Sequence, residues 1–181
     1  QLEEVGKLRA VSMSPNDAPA LIATKHVGQK FEEYDTSSSV MIVLEGDEKL
    51  GPDAHTFYDE VVRKLNADDI HVQHVQDFWG DTLTAAGAQS IDGKAAYVQL
   101  NLVGNQGSAV SNESVGAVRD IIANTKPPHG VTVHVTGAAP LISDQFDVGS
   151  KGTAKVTSIT VGVIALILLF VYRSLVTTLL V

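Results

Sequence analysis

The apolar positions of this chain change their period in a regular order. SSVMIVLEG (Ser38 to Gly46) is apolar on both faces, as a central strand would be. Gly51-Pro52-Asp53 then opens a helix, since Pro is tolerated in a first turn. Ala54, Phe57, Tyr58, Val61, Val62 and Leu65 follow at i, i+3, i+4, i+7, i+8 and i+11 on one face. IHVQHV (Ile70 to Val75) reads as a second strand, less regular and so an edge. AAYVQLNLV (Ala95 to Val103) alternates strictly, with Val98, Leu100 and Leu102 on one side and Tyr97, Gln99 and Asn101 on the other. Asn112 or Ser111 is placed to cap a helix that carries Val115, Val118, Ile121 and Ile122 and stops at Pro127-Pro128 and Gly130. VTVHVT (Val131 to Thr136) is a last alternating strand. Val156 to Tyr172 then runs 17 residues without one charge, followed by Arg173 and the apolar LVTTLLV.

The order β-α-β, β-α-β predicts an α+β fold, a ferredoxin-like βαββαβ plait over residues 38–136. Both helices cover one face of a four-stranded antiparallel sheet, and the other face stays half polar, where a neighbouring domain would pack. Before the plait, residues 1–37 form an N-terminal segment in which Asp17 to Tyr34 reads as a helix. Gly80 to Ser90 is a small helical or loop insertion, and 137–155 is a connector. Residues 156–173 are expected to cross a membrane. At about 1.5 Å per residue the uncharged run reaches across most of a hydrocarbon core of roughly 30 Å, and it lacks the polar stripe of a buried soluble helix. Residues 174–181 read as the start of a next span. Gln1 is not an initiator and Val181 stops inside that second apolar run, so the expectation is one piece of a multi-span membrane protein.

Charge refines this division. Nearly all acids and bases precede residue 150, and the formal net charge is −8, which makes nucleic acid a poor partner. There is no cysteine, which excludes thiol chemistry and disulfides. Arg173 between two apolar runs reads as positive-inside and places the domain outside the cytoplasm, while Lys151 and Lys155 pull the other way. Large domains translocate largely regardless of charge, so the turn residue weighs more.

The chemistry-bearing residues do not assemble into a site. His71 and His74, three apart on a strand, point to opposite faces, and His26, His55, His129 and His134 lie on separate elements, so no metal is expected. Gly104-Asn105-Gln106-Gly107 lacks the Gly-Lys-Ser/Thr ending of a phosphate loop, and Gly149-Ser-Lys-Gly-Thr153 has the wrong spacing. Both read as turns. Acylphosphatases share the plait, but Gly46-Asp-Glu-Lys-Leu-Gly51 has no Arg for their phosphate cradle. No nucleophile-base order or paired carboxylates stand out, so no catalytic residue and no cofactor is expected. Asn112-Glu113-Ser114 is formally a glycosylation sequon, but it sits at the expected cap. Phe78-Trp79, beside the second strand, are the candidates for a passage wall, with core packing or a domain interface as the plainer alternatives.

Longer strings carry more. HVQHVQDFWGDTLTAAGAQS (His71 to Ser90), IDGKAAYVQLNLVGNQG (Ile91 to Gly107), NESVGAVRDII (Asn112 to Ile122), VTGAAPLISDQ (Val135 to Gln145) and VYRSLVTTLL (Val171 to Leu180) closely resemble the MmpL family. These are the mycobacterial large membrane proteins of the resistance-nodulation-division (RND) superfamily, and the likeness is greatest to the branch that works with a small MmpS accessory protein. The resemblance implies the first of two extracytoplasmic porter domains plus the second transmembrane span, with Arg173 in a cytoplasmic turn. It further implies proton-driven export of lipids, glycolipids or siderophores across the inner membrane. The expected partners are the remaining spans, a second porter domain, an MmpS-type protein, membrane lipids and cargo, with homo-oligomers also to be considered. The family's proton-relay residues lie on later spans. The rival expectation is a membrane-anchored extracytoplasmic binding or assembly module without transport activity.

Overall fold

The computed structural model describes residues 10–15 and 17–172. Helix α1 (Pro19–Lys30) precedes β1 (Ser39–Gly46), α2 (Pro52–Asn66) and β2 (Val72–Gln76). A short 3-10 turn (Ala85–Gly87) interrupts the stretch before β3 (Ala95–Leu102), which α3 (Ala109–Ala123), β4 (Val131–Thr136) and α4 (Ala138–Tyr172) follow. The strands form one antiparallel sheet in the order β2-β3-β1-β4. This is the split βαβ plait, with β2 on an edge as its irregular pattern predicted.

The periodicities become packing directly. Ile42 and Leu44 of β1, Val98 and Leu100 of β3, Phe57, Val61 and Leu65 of α2, and Val115 and Val118 of α3 all belong to one buried cluster. Each such side chain contributes about 1.5–3 kcal/mol by leaving water, so these nine together decide the register against any one-residue slip.

Gly137, between β4 and α4, has φ 115, and a Cβ there would lie 3.1–3.2 Å from the β1 backbone at Ser39, Val40 and Met41. Only glycine allows the chain to turn so close to the sheet. Helix α4 then runs unbroken for 35 residues, about 52 Å long. Its first turns pack on the domain, where Ala139 is buried, and Arg119 of α3 grips Asp144 through two bonds of 2.8 and 3.0 Å. Further on, Val156, Ile159, Val163, Ile164, Leu166 and Phe170 stand exposed. Among the described residues no helix is long and apolar enough to cross a membrane. The uncharged run of α4 reaches 17 residues at Tyr172. Arg173 and the expected start of a next span at 174–181 lie outside the described residues, as do residues 1–9.

Four local expectations change. Helix α3 begins at Ala109 and is capped by Ser108, whose Oγ accepts from the Ser111 N–H at 3.2 Å. Ser111 and Asn112 are therefore inside the helix, and the Ser111 hydroxyl instead meets Ser38 at 2.6 Å. Helix α1 is shorter than Asp17 to Tyr34. It ends at Lys30, after which Glu32 takes φ 57 and the Glu33 N–H returns to the Gly28 carbonyl at 2.9 Å. Strand β2 begins two residues later than Ile70, because the Asp68 carbonyl accepts the Val72 N–H at 3.0 Å and holds residues 68–71 in a turn. Gly149 to Thr153 is helix and not a turn. Two glycines cost roughly 1 kcal/mol each in a helix, which the flanking helical segments outweigh.

Candidate functional site

Phe78 and Trp79 lie just past the end of β2 at Gln76, outside the strand, and differ in burial. Trp79 is 2% exposed and belongs to the core. Its ring stacks on His55 of α2 with centroids 3.7 Å apart and meets the edge of Tyr58 at 5.0 Å, while its indole N–H donates to Gln89 Oε1 at 3.0 Å. The Tyr58 hydroxyl donates to Asp77 Oδ1 at 2.6 Å, and the same oxygen accepts the Gly80 N–H at 2.9 Å. Burial, followed by the bond to Asp77, pushes the Tyr58 phenol far above the ordinary tyrosine range. These bonds pin the 77–90 excursion onto α2. Phe78, at 37% exposure, is the one of the pair whose ring reaches solvent.

The histidines are taken up singly. His71 Nδ1 lies 2.9 Å from Asp68 Oδ1, His74 Nε2 3.9 Å from Glu33 Oε1, and His134 Nε2 3.4 Å from Glu45 Oε2. The expectation that His71 and His74 stand on one strand and face opposite ways is corrected, because His71 lies in the turn before β2 and a register shift follows Val72; each of the two meets its own carboxylate. Among the described residues no three His, Asp or Glu side chains are grouped to hold a metal. The Gly104–Gly107 loop is a turn with φ of 92 and 85 at its glycines, and its backbone is committed to the protein. The Gln106 carbonyl accepts from Met13 N–H at 3.0 Å, the Gln106 N–H donates to Ser37 Oγ at 3.2 Å, and Thr36 Oγ1 donates to the Gly104 carbonyl.

Two surfaces remain. The sheet face away from α2 and α3 carries Met41, Val43 and Glu45 of β1 between Tyr97 and Gln99 of β3 and Thr132, His134 and Thr136 of β4. It is half apolar and half polar, with Asn101 buried at 6% exposure. The second surface was not legible as a site. A cavity of about 440 Å3 lies between α3 and α4, lined in part by Asn112, Gly116, Arg119, Ser143 and Phe146. The Asn112 Oδ1 atom is buried and has no hydrogen-bond partner. The only sequence signal for it was the small residue at Gly116 on an otherwise ordinary helix.

Comparison with known proteins covers the whole chain. The MMPL family profile matches residues 12–181. The siderophore exporter MmpL5 of Mycobacterium tuberculosis is 54% identical over 178 residues, which is 98% of this chain and 18% of that protein. The probable transport protein MmpL2 of the same species is 56% identical over 181 residues, all of this chain and 19% of the relative. The phthiocerol dimycocerosate exporter MmpL7, also of M. tuberculosis, is 30% identical over 158 residues, 87% of the chain and 17% of its own length. The chain thus spans less than a fifth of the length of the curated relatives it matches.

Proposed function

The chain belongs to the MMPL family of membrane transport proteins, and from that membership we propose that it is the first extracytoplasmic porter domain, with the second span, of a proton-driven RND-type exporter in the inner membrane. The observation that carries this reading is the likeness to a named exporter through 98% of the chain, plait and apolar helix end alike. The cargo class follows the relatives' names: a siderophore, or a lipid or glycolipid. The domain's part is to form one wall of the substrate passage and has no catalytic step. A second porter domain packs against the open sheet face, and an MmpS-type accessory protein and further copies of the transporter complete the assembly.

In this reading the apolar end of α4 enters the bilayer. Seventeen helical residues reach about 26 Å, and Arg173 marks the cytoplasmic side, so the plait lies outside. The stretch Val156 to Tyr172 contains no Asp, Glu, His, Lys or Arg. A proton relay needs an ionisable group within the membrane, and it therefore belongs to other spans.

The test is to replace the matching segment of MmpL5 by this chain and measure siderophore export from cells. The chimera is expected to keep at least about a tenth of the parent's rate, since a change of 1.4 kcal/mol in the slow step is tenfold. Loss of export with the chimera present in the membrane at the parent's level would overturn the reading and favour a binding or assembly module.

A further inference from the structure

The segment that leads toward α1 is strapped across the start of α3. The Ala109 N–H donates to the Ala10 carbonyl at 3.0 Å, and the Met13 N–H donates to the Gln106 carbonyl at 3.0 Å. Gly107 gives the strap its seat: its φ is 85, and a Cβ there would lie 2.5 Å from Met13 Cγ. Met13 thus lies directly on a position that has no side chain. Ala109 also lines the cavity of about 440 Å3 between α3 and α4, together with Phe146 and Asp147 of α4. Whatever precedes Ala10 therefore starts at the mouth of that groove, beside α4.

The groove calls for a cation with apolar neighbours. Its lining carries Glu113 and Asp147, and its one cation, Arg119, is already held by Asp144 at 2.8 and 3.0 Å, while the Phe146 ring is 43% exposed. Residues 1–9, outside the described residues, read QLEEVGKLR. At 100° per residue Leu2, Val5 and Arg9 share one side of a helix, and Glu3, Glu4 and Lys7 share the other. Arg9 adjoins Ala10, so Asp147 across the cavity mouth is within reach of its guanidinium. Direction follows from what closes the groove. Toward the far end of α3 the Arg119–Asp144 pair bars the way, whereas the other direction runs along α4. Nine helical residues measure about 13 Å, enough to pass from Asp147 to the start of the uncharged run at Val156.

We propose that the α4 surface below the groove is the docking site of the chain's own residues 1–9, laid antiparallel to α4 as a helix, with Leu2 and Val5 against α4 and Arg9 paired to Asp147. The plait then stands on two helices side by side and not on one. Such a pair resists bending at Gly149 and Gly152, where a lone helix gives way at least cost. The inference goes beyond the export reading and stands without it, because a binding or assembly module would use the same two-helix stem. Its test measures contact within the chain, so that failure of transport in the chimera and failure of this surface are separate results.

Pairs of introduced cysteines decide the placement, because the chain has none of its own. At 100° per residue Thr157 returns to the side of α4 that carries Phe146 and Asp147, and Ile159 falls on the opposite side. The 181-residue chain is placed at low density in phosphatidylcholine vesicles and treated with a short bismaleimide. Leu2→Cys should be bridged to Thr157→Cys within one chain at least about tenfold faster than to Ile159→Cys, as the difference in effective concentration across a helix implies. Arg9→Asp or Asp147→Arg alone should slow the Leu2–Thr157 bridge several-fold, and the two together should restore it, since the ion pair is first replaced by like charges and then rebuilt. Equal rates for the two cysteine pairs, no bridge in either, or bridges between chains instead of within one would each overturn the proposal. So would a Leu2–Thr157 rate that neither reversal changes, or that the double exchange leaves low. If a reversal fails to fold, as read from the emission of Trp79, the one tryptophan and a core residue, the comparison of the two cysteine pairs decides alone.

Discussion

Among the described residues Tyr58 is the one whose titration the fold shifts furthest. Its phenol is buried against Trp79 and donates to Asp77, and burial first, then that bond, holds its pKa far above the ordinary value of about 10. The folded state therefore keeps a proton that the unfolded chain releases. The resulting stability is whole below about pH 10 and is lost as pH rises from there toward the folded value. Tyr58→Phe should cost about 1–2 kcal/mol at pH 7, where one hydrogen bond is lost and Asp77 keeps the Gly80 N–H. Above about pH 10 its stability should fall less steeply than that of the parent. Urea unfolding followed at a series of alkaline pH values measures both, and parallel curves would assign the alkaline loss to other groups.

Helix α4 joins two environments in one element. Its first turns are fastened to α3 by Arg119–Asp144 and to the sheet by Ala139, and its last turns present only apolar and hydroxyl side chains to their surroundings. Because no break separates the halves, tilting of the plait is carried to the apolar end over about 52 Å. Gly149 and Gly152, with open space around them, are the places where such a helix bends at least cost. If the apolar end enters a bilayer, a central charge there is expensive. Leu166→Arg should add roughly 2.5–3.5 kcal/mol to insertion and reduce it severely in a segment this short. Glycosylation-mapped insertion that is equally efficient with Leu and Arg would remove the span from the reading.

At the scale of the whole molecule the open sheet face and the direction of α4 set the orientation of the domain in the proposed transporter. With no native cysteine, single replacements report which side each part faces. Leu83→Cys, at a position 90% exposed on the 77–90 excursion, should react with a membrane-impermeant maleimide added outside intact cells. Ser174→Cys, beyond the described residues, should react only after the membrane is opened. The opposite pattern would put the plait in the cytoplasm and remove it from any export passage.

How much of this was legible depended on whether a feature is local. The plait follows from period alone, because Val98, Leu100 and Leu102 on one strand and Phe57, Val61 and Leu65 on one helix leave only one arrangement that buries both faces. Family membership was likewise legible in unbroken strings from His71 to Leu180, which need no geometry. The cap of α3 was not, since Ser108, Ser111 and Asn112 have the same local chemistry and the choice fell to the turn at Gly107 and to Ser38, 73 residues away from Ser111. Nor was the division between Phe78 and Trp79, neighbours of equal apolarity, because His55 and Gln89 take up only one of them. The α3–α4 groove exists only once α4 turns back at Gly137 and lays its first turns along α3. A cavity is a relation between surfaces far apart in the chain, and only tertiary packing creates it.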